Sequence, residues 1–185
     1  MPREPLAVAR RCLCLELLFQ RYLLEDGEED DASERERARA LWLSREGDLG
    51  LQASFTPGER ALMERPVGGL SEDDKDDLHG RMVGAGVLLW ALGRLKERPS
   101  LASAEASIDE VGLLNDGSIP AARAAAEAAS LRDEAELEKA CAEYARVRGR
   151  ARDVDDPERI FAFLAAHHLT WILEDQMGFE DDIEL

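Results

Sequence analysis

Apolar residues recur along this chain at three- and four-residue spacing, and no stretch alternates with the period of two that a half-buried strand requires. From Pro5 to about Asp26 an apolar face built on Leu6, Leu13, Leu17 and Leu24, widened by Cys14, Leu18 and Tyr22, predicts a first helix that Gly27 ends. Ser33 with Glu36 forms a capping-box pattern, so a second helix carrying Trp42 and Leu43 is expected to start there and to close at Gly47. Thr56, Pro57 and Glu59 repeat the start signal, with proline where its missing N–H costs nothing, for a short helix to about Glu64. Ser71 and the acids Glu72, Asp73 and Asp74 open the next, since the positive end of a helix dipole favours negative charge.

That helix runs into "RMVGAGVLLWALGRL", residues 81–95, the most apolar part of the chain. Its apolar core, Met82 to Gly93, is about twelve residues long, where a bilayer span needs about twenty. At roughly 100° per residue Gly86, Trp90 and Gly93 fall on one side and Gly84, Leu88, Ala91 and Leu95 on the other, so the helix is expected to be buried all round. Interior glycines cost roughly 0.8–1 kcal/mol each against alanine and call for close helix contacts there. A phosphate-cradling G-x-G-x-x-G would need glycine at Leu89 and a strand before it, and has neither.

Beyond Pro99 the pattern predicts a helix around Ser103 to Leu114, a turn at "NDG", and an Ala-rich segment opened by Pro120. Residues 133–152 predict an amphipathic helix with Leu137, Ala140, Cys141 and Tyr144 inward. Its basic end, Arg146 to Arg152, complements the helix dipole. A last helix is capped by Asp156 with Pro157 at its first position, and after Gly178 comes an acidic tail, "FEDDIEL". The fold expected is all-α: a single compact domain over 1–185 of about seven helices, around a buried central helix at roughly 72–97, with the tail at about 178–185.

Charge narrows the partners. Forty acids against 23 bases give −17, which disfavours nucleic acid, and residues 101–185 hold most of the excess with 20 acids and 8 bases. A basic protein partner fits this surface, and the chain is expected to be a monomer or homodimer with no membrane partner. Three cysteines without C-x-x-C spacing encode neither a disulfide framework nor a zinc knuckle, so cytoplasmic localisation is expected. Cys12 and Cys14 in an apolar helix behave as small hydrophobes, and Glu16 interrupts the apolar run that a signal peptide would need.

Candidate chemistry is sparse. Asp76-x-x-His79 occurs once, whereas helical di-metal sites need two such pairs, so no metal and no cofactor is expected. His168 lies on the stripe Phe161, Leu164, Ile172 and fits a core histidine; His167 shares a face with Phe163, Trp171 and Glu174, which could form a small polar pocket. No nucleophile-elbow, zincin or P-loop pattern occurs, and no catalytic residue is assigned. The expected function is a non-enzymatic protein-interaction module, inhibitor- or immunity-like, whose acidic surface meets a partner. The alternative is an enzyme with a pocket near Arg81, Trp90, His167 and Trp171.

The order of elements carries a resemblance. An arginine-led first helix ("ARRCLCLELLFQRYLLE"), "WL" at 42, the start at Thr56, "LLWALG" at 88–93, "LR" at 131, "LTWIL" at 169–173 and the ending "FEDDIEL" together resemble the bacterial domain-of-unknown-function family 4272. The resemblance implies a helical fold and brings no established activity. It carries over Arg11, Arg81, Trp90, Trp171, Asp181 and Asp182 as structural or site candidates. Members of that family place a tryptophan and a glutamate shortly before "LLWALG" where this chain has Gly80 and Val83, and a tail tryptophan where it has Phe179, so a polar site built on that glutamate would be missing here.

Overall fold

A computed structural model describes residues 2–26, 31–101, 103, 108, 111–114, 118–150, 156–174 and 177–178. The described chain holds seven helices and no strand: α1 (Pro5–Asp26), α2 (Ala32–Leu49), α3 (Pro57–Glu64), α4 (Glu72–Ala91), α5 (Ile119–Glu127), α6 (Glu134–Arg150) and α7 (Pro157–Leu173). The tail after Gly178, the "NDG" turn, Gly27 and half of the expected 103–114 helix lie outside the described residues.

Helix starts follow the capping chemistry. Ser71 and Thr56 each complete a capping box, with Asp74 and Glu59 respectively returning a bond to the cap N–H. Asp156 caps α7 by accepting from Glu158 N, and Ser118 caps α5. At α2 the expectation fails: Asp31 is the cap, accepting from Ser33 N, and Glu36 instead reaches across to Val67 N and Arg39. Its end also differs. Gly47 stays helical, and Gly50, at φ 69°, makes the left-handed turn.

That ending recurs in α4, which stops at Ala91 and not near 97. Gly93 N–H bonds Trp90 O and Arg94 N–H bonds Leu89 O, a Schellman pair that needs a residue with positive φ, here Gly93 at 71°. At α2 the equivalent bonds run from Gly50 N–H to Gly47 O and from Leu51 N–H to Glu46 O. Leu51, just past the turn, is fully buried.

Helix α4 lies between α1 and α7, and α6 covers α7. Every residue from Met82 to Leu92 is buried, as its two apolar sides predict. The glycine expectation holds at Gly84, where an added Cβ would lie 2.0 Å from His168 Nε2 on α7. It fails at Gly93, whose φ serves the turn and where nothing stands within 4 Å of the position a Cβ would take. The start and end of the helical body meet where Arg3 N–H bonds Ile172 O at 2.8 Å. No described helix is long and apolar enough to cross a membrane.

Candidate functional site

The short helix α3 exists because its capping box holds it, and the capping glutamate does a second job. Glu59 is fully buried. Its Oε2 accepts from Thr56 N–H at 3.0 Å and from Arg11 Nη1 on α1 at 2.6 Å. Its Oε1 accepts from Arg11 Nη2 and, at 2.8 Å, from Arg81 Nη1 on α4. One carboxylate therefore ties three helices. Arg11 Nη1 also bonds Ser54 O at 3.1 Å, and Arg81 Nε reaches the surface Asp77 at 3.0 Å.

Two donors on each oxygen saturate the lone pairs a carboxylate offers. Burial pushes the Glu59 carboxyl up, but the bonds and charge of Arg11, the N–H of Thr56 and the charge of Arg81 outweigh it and hold it below the usual range. Such a group has no lone pair left to accept a substrate proton, so it works as a cross-link and not as a general base.

His168 sits beside this cluster. Burial, then His167, Arg11 and Arg81, push its imidazole well below the ordinary histidine value, so it stays neutral. His167 is buried too, edge to face with His168 at 5.7 Å. A second buried carboxylate, Glu16 on α1, accepts from the N–H groups of Leu113 and Leu114 at 2.8 and 2.7 Å and from Cys12 Sγ at 3.4 Å. Burial pushes Glu16 up against those bonds. It tethers the 113–114 segment to α1. Among the described residues no group of three or more His, Cys, Asp or Glu could hold a metal ion.

Of the residues singled out in the sequence, the structure brings together Arg11 and Arg81, through Glu59. Trp90 is nine residues past Arg81 on α4, roughly 13 Å along the axis at about 1.5 Å per residue. Its partner is Arg132, whose Cζ lies 4.8 Å from the ring centroid. Trp171 and Glu174 meet at Arg3, which stands 4.4 Å over the indole and donates to Trp171 O at 2.6 Å and Glu174 O at 3.3 Å. Asp181 and Asp182 lie outside the described residues. Sequence reasoning missed Glu59 as a hub, Glu16, Arg3 and Arg132. A capping-box glutamate opening a helix of only eight residues was the available signal for Glu59.

Surface cavities open among the described residues. One, of about 340 Å³, lies between α1, the end of α2 and α5, with Arg10, Asp48, Arg123 and Glu127 on its walls. A second, of about 220 Å³, is lined by Trp90, Lys96, Arg98, Glu136, Lys139 and Ala140. A third, of about 560 Å³, is an apolar groove bounded by Pro99, Leu101, Tyr144, Val147, Phe161 and Ala162, with Glu158 at its edge. Tyr144 shapes it by donating to Pro99 O at 2.8 Å.

Residues 1–175 match the family model described as Domain of unknown function (DUF4272). The chain belongs to the DUF4272 family. No curated protein and no solved structure matches it. The DUF4272 match takes in Arg11, Arg81, Trp90, His167, Trp171 and Glu174, and ends before Asp181 and Asp182. Val83 is buried among the apolar residues of α4. The charged hub of this member is Glu59 on α3.

Proposed function

We propose that this DUF4272 protein is a non-enzymatic protein-interaction module, inhibitor- or immunity-like, that holds a basic protein partner through the apolar groove between α6 and α7. The observation carrying the proposal is the groove itself. Leu101 and Val147 on its walls are 44% and 41% exposed, two of the four exposed large hydrophobics among the described residues. An open apolar surface of this kind is covered when a partner inserts a side chain, and burial of apolar area is then the main source of affinity.

Two further features support the reading. The buried carboxylates Glu59 and Glu16 are engaged in holding helices and a loop together, a structural task that accounts for their burial. The chain's −17 steers a basic partner from a distance, and Glu158 stands at the groove's edge to receive a cation. Arg98 is held by Glu143, and Arg148 stands over the Phe163 ring.

Affinity capture from the source cell tests this with wild type beside Leu101→Asp and Val147→Asp. A basic protein that is recovered by wild type, released by moderate salt and lost in both variants is the expected result. Capture that ignores salt and both substitutions, or no specific capture at all, refutes the proposal.

A further inference from the structure

A chain of net charge −17 with only three lysines places two of them on one cavity. Lys75 is paired with Glu72 at 2.8 Å on the exposed start of α4. Lys96, just past the α4 turn, and Lys139, on α6, both line the 220 Å³ cavity with Arg98 and Trp90.

The other charges around this cavity are already paired. Arg132 bonds Glu136 at 2.8 Å and spans the end of α4, donating to Trp90 O at 2.8 Å and Leu95 O at 2.7 Å, while its own N–H bonds Ala91 O at 2.9 Å. That arginine answers the negative end of the α4 dipole. Arg98 pairs with Glu143. Lys96 and Lys139 form no salt bridge among the described residues; the charge of Lys139 is felt at Glu143, and both exposed side chains line the cavity.

Geometry favours a ligand here over a loose basic patch. Trp90 and Ala140 are 2% exposed and form a rigid floor, and Arg132 clamps the turn that presents Lys96. Charges further off than about 8 Å are largely screened at physiological salt, and at the cavity itself Lys96, Arg98, Lys139 and Arg132 outnumber Glu136 and Glu143, so the local sign is positive.

We propose that this cavity binds a small free phosphate-bearing ligand, a phosphate monoester or diphosphate, with Lys96 and Lys139 as its charge partners and Arg98 as the outer donor. Lysine ammonium groups meet phosphate as point charges, and each exchanges water for a charge-assisted bond. The proposal does not depend on the interaction-module reading, because the groove and this cavity are lined by different residues.

Calorimetric titration with pyrophosphate and with inorganic phosphate, alongside phosphorus NMR, tests it on the full chain. Saturable binding of pyrophosphate is expected, weakened about tenfold by Lys96→Ala or Lys139→Ala and retained by Lys96→Arg and Lys139→Arg. Both lysines are exposed, so circular dichroism is expected to stay unchanged in every variant. No binding of either probe at millimolar concentration, or binding that survives Lys96→Ala/Lys139→Ala, overturns the proposal. Sedimentation with phosphatidic acid vesicles separates the ligand's source. Lysine-dependent vesicle binding without binding of free pyrophosphate assigns the cavity to a lipid headgroup and also overturns it.

Discussion

Changing Gly84 to alanine sets two known effects against each other on the central helix. Alanine is the better helix former by about 1 kcal/mol, so propensity alone predicts a gain. The added methyl carbon would lie 2.0, 2.5 and 2.7 Å from Nε2, Cε1 and Cδ2 of His168, all shorter than any van der Waals separation. The imidazole is 2% exposed and has no open side to move into. Overpacking a closed core costs about 1–3 kcal/mol, and three ring atoms in the way put this site at the upper end. The net loss is about 2 kcal/mol, which for a domain of this size lowers Tm by about 4–8 °C. Gly80→Ala is the control one turn earlier on the same helix: its methyl would meet only Leu164 Cδ1 at 3.7 Å, an ordinary contact, so it should stabilise by up to about 1 kcal/mol. Denaturant unfolding of both variants gives the two signs directly. Adding His168→Ala to Gly84→Ala should make the methyl less costly than it is beside the imidazole, with a coupling of about 1 kcal/mol or more in a double-mutant cycle. If Gly84→Ala is as stable as Gly80→Ala, the close contact between α4 and α7 does not govern the position and the reasoning is wrong.

Glu59→Gln should cost about 3–5 kcal/mol in urea unfolding, because it leaves Arg11 buried beside a neutral amide, whereas Asp77→Asn on the exposed side of Arg81 should cost under about 0.5 kcal/mol. Acid should unfold the protein in two stages. The depressed His168 leaves the unfolded chain binding more protons below about pH 6.5, so stability declines from there by up to about 1.4 kcal/mol per pH unit. The depressed Glu59 contributes stability that is present above about pH 4.3 and lost as pH falls through its lower folded value. His168→Asn should flatten the first stage alone, read as stability between pH 7 and pH 5. Thiol titration should find Cys141 reactive in the native protein and Cys12 and Cys14 protected until denaturant is added, since both are buried and burial pushes both thiols up.

Helices are legible in the sequence where their signals are local. The Thr56 and Asp156 starts and the all-round burial of Met82 to Leu92 follow from residue type and spacing alone. The α2 boundaries are ambiguous there because two cap candidates, Asp31 and Ser33, stand two residues apart, and because Gly47 and Gly50 both suit an end. Tertiary pairing decides each: Glu36 is drawn to Val67 N–H, and Leu51 needs Gly50's left-handed turn to reach the core. The site is half legible. Arg11 and Arg81 come forward through the family resemblance, yet the carboxylate joining them is 48 residues from Arg11 and 22 from Arg81, distances that periodicity does not carry. Trp90 and Trp171 read as candidates for one pocket, and each is instead covered by its own arginine.

The placing of α4 between α1 and α7 bears on how the chain is made. A ribosome completes α4 at Ala91, but the wall that receives Gly84 ends at Leu173, 82 residues later. At about 5–20 residues per second that interval lasts roughly 4–16 s. Throughout it the most apolar segment of the chain has α1 on one side and nothing of its own on the other. A nascent chain in that condition is a substrate for chaperones, and a pause in translation between α4 and α7 would lower the yield of folded protein without changing a single residue of it.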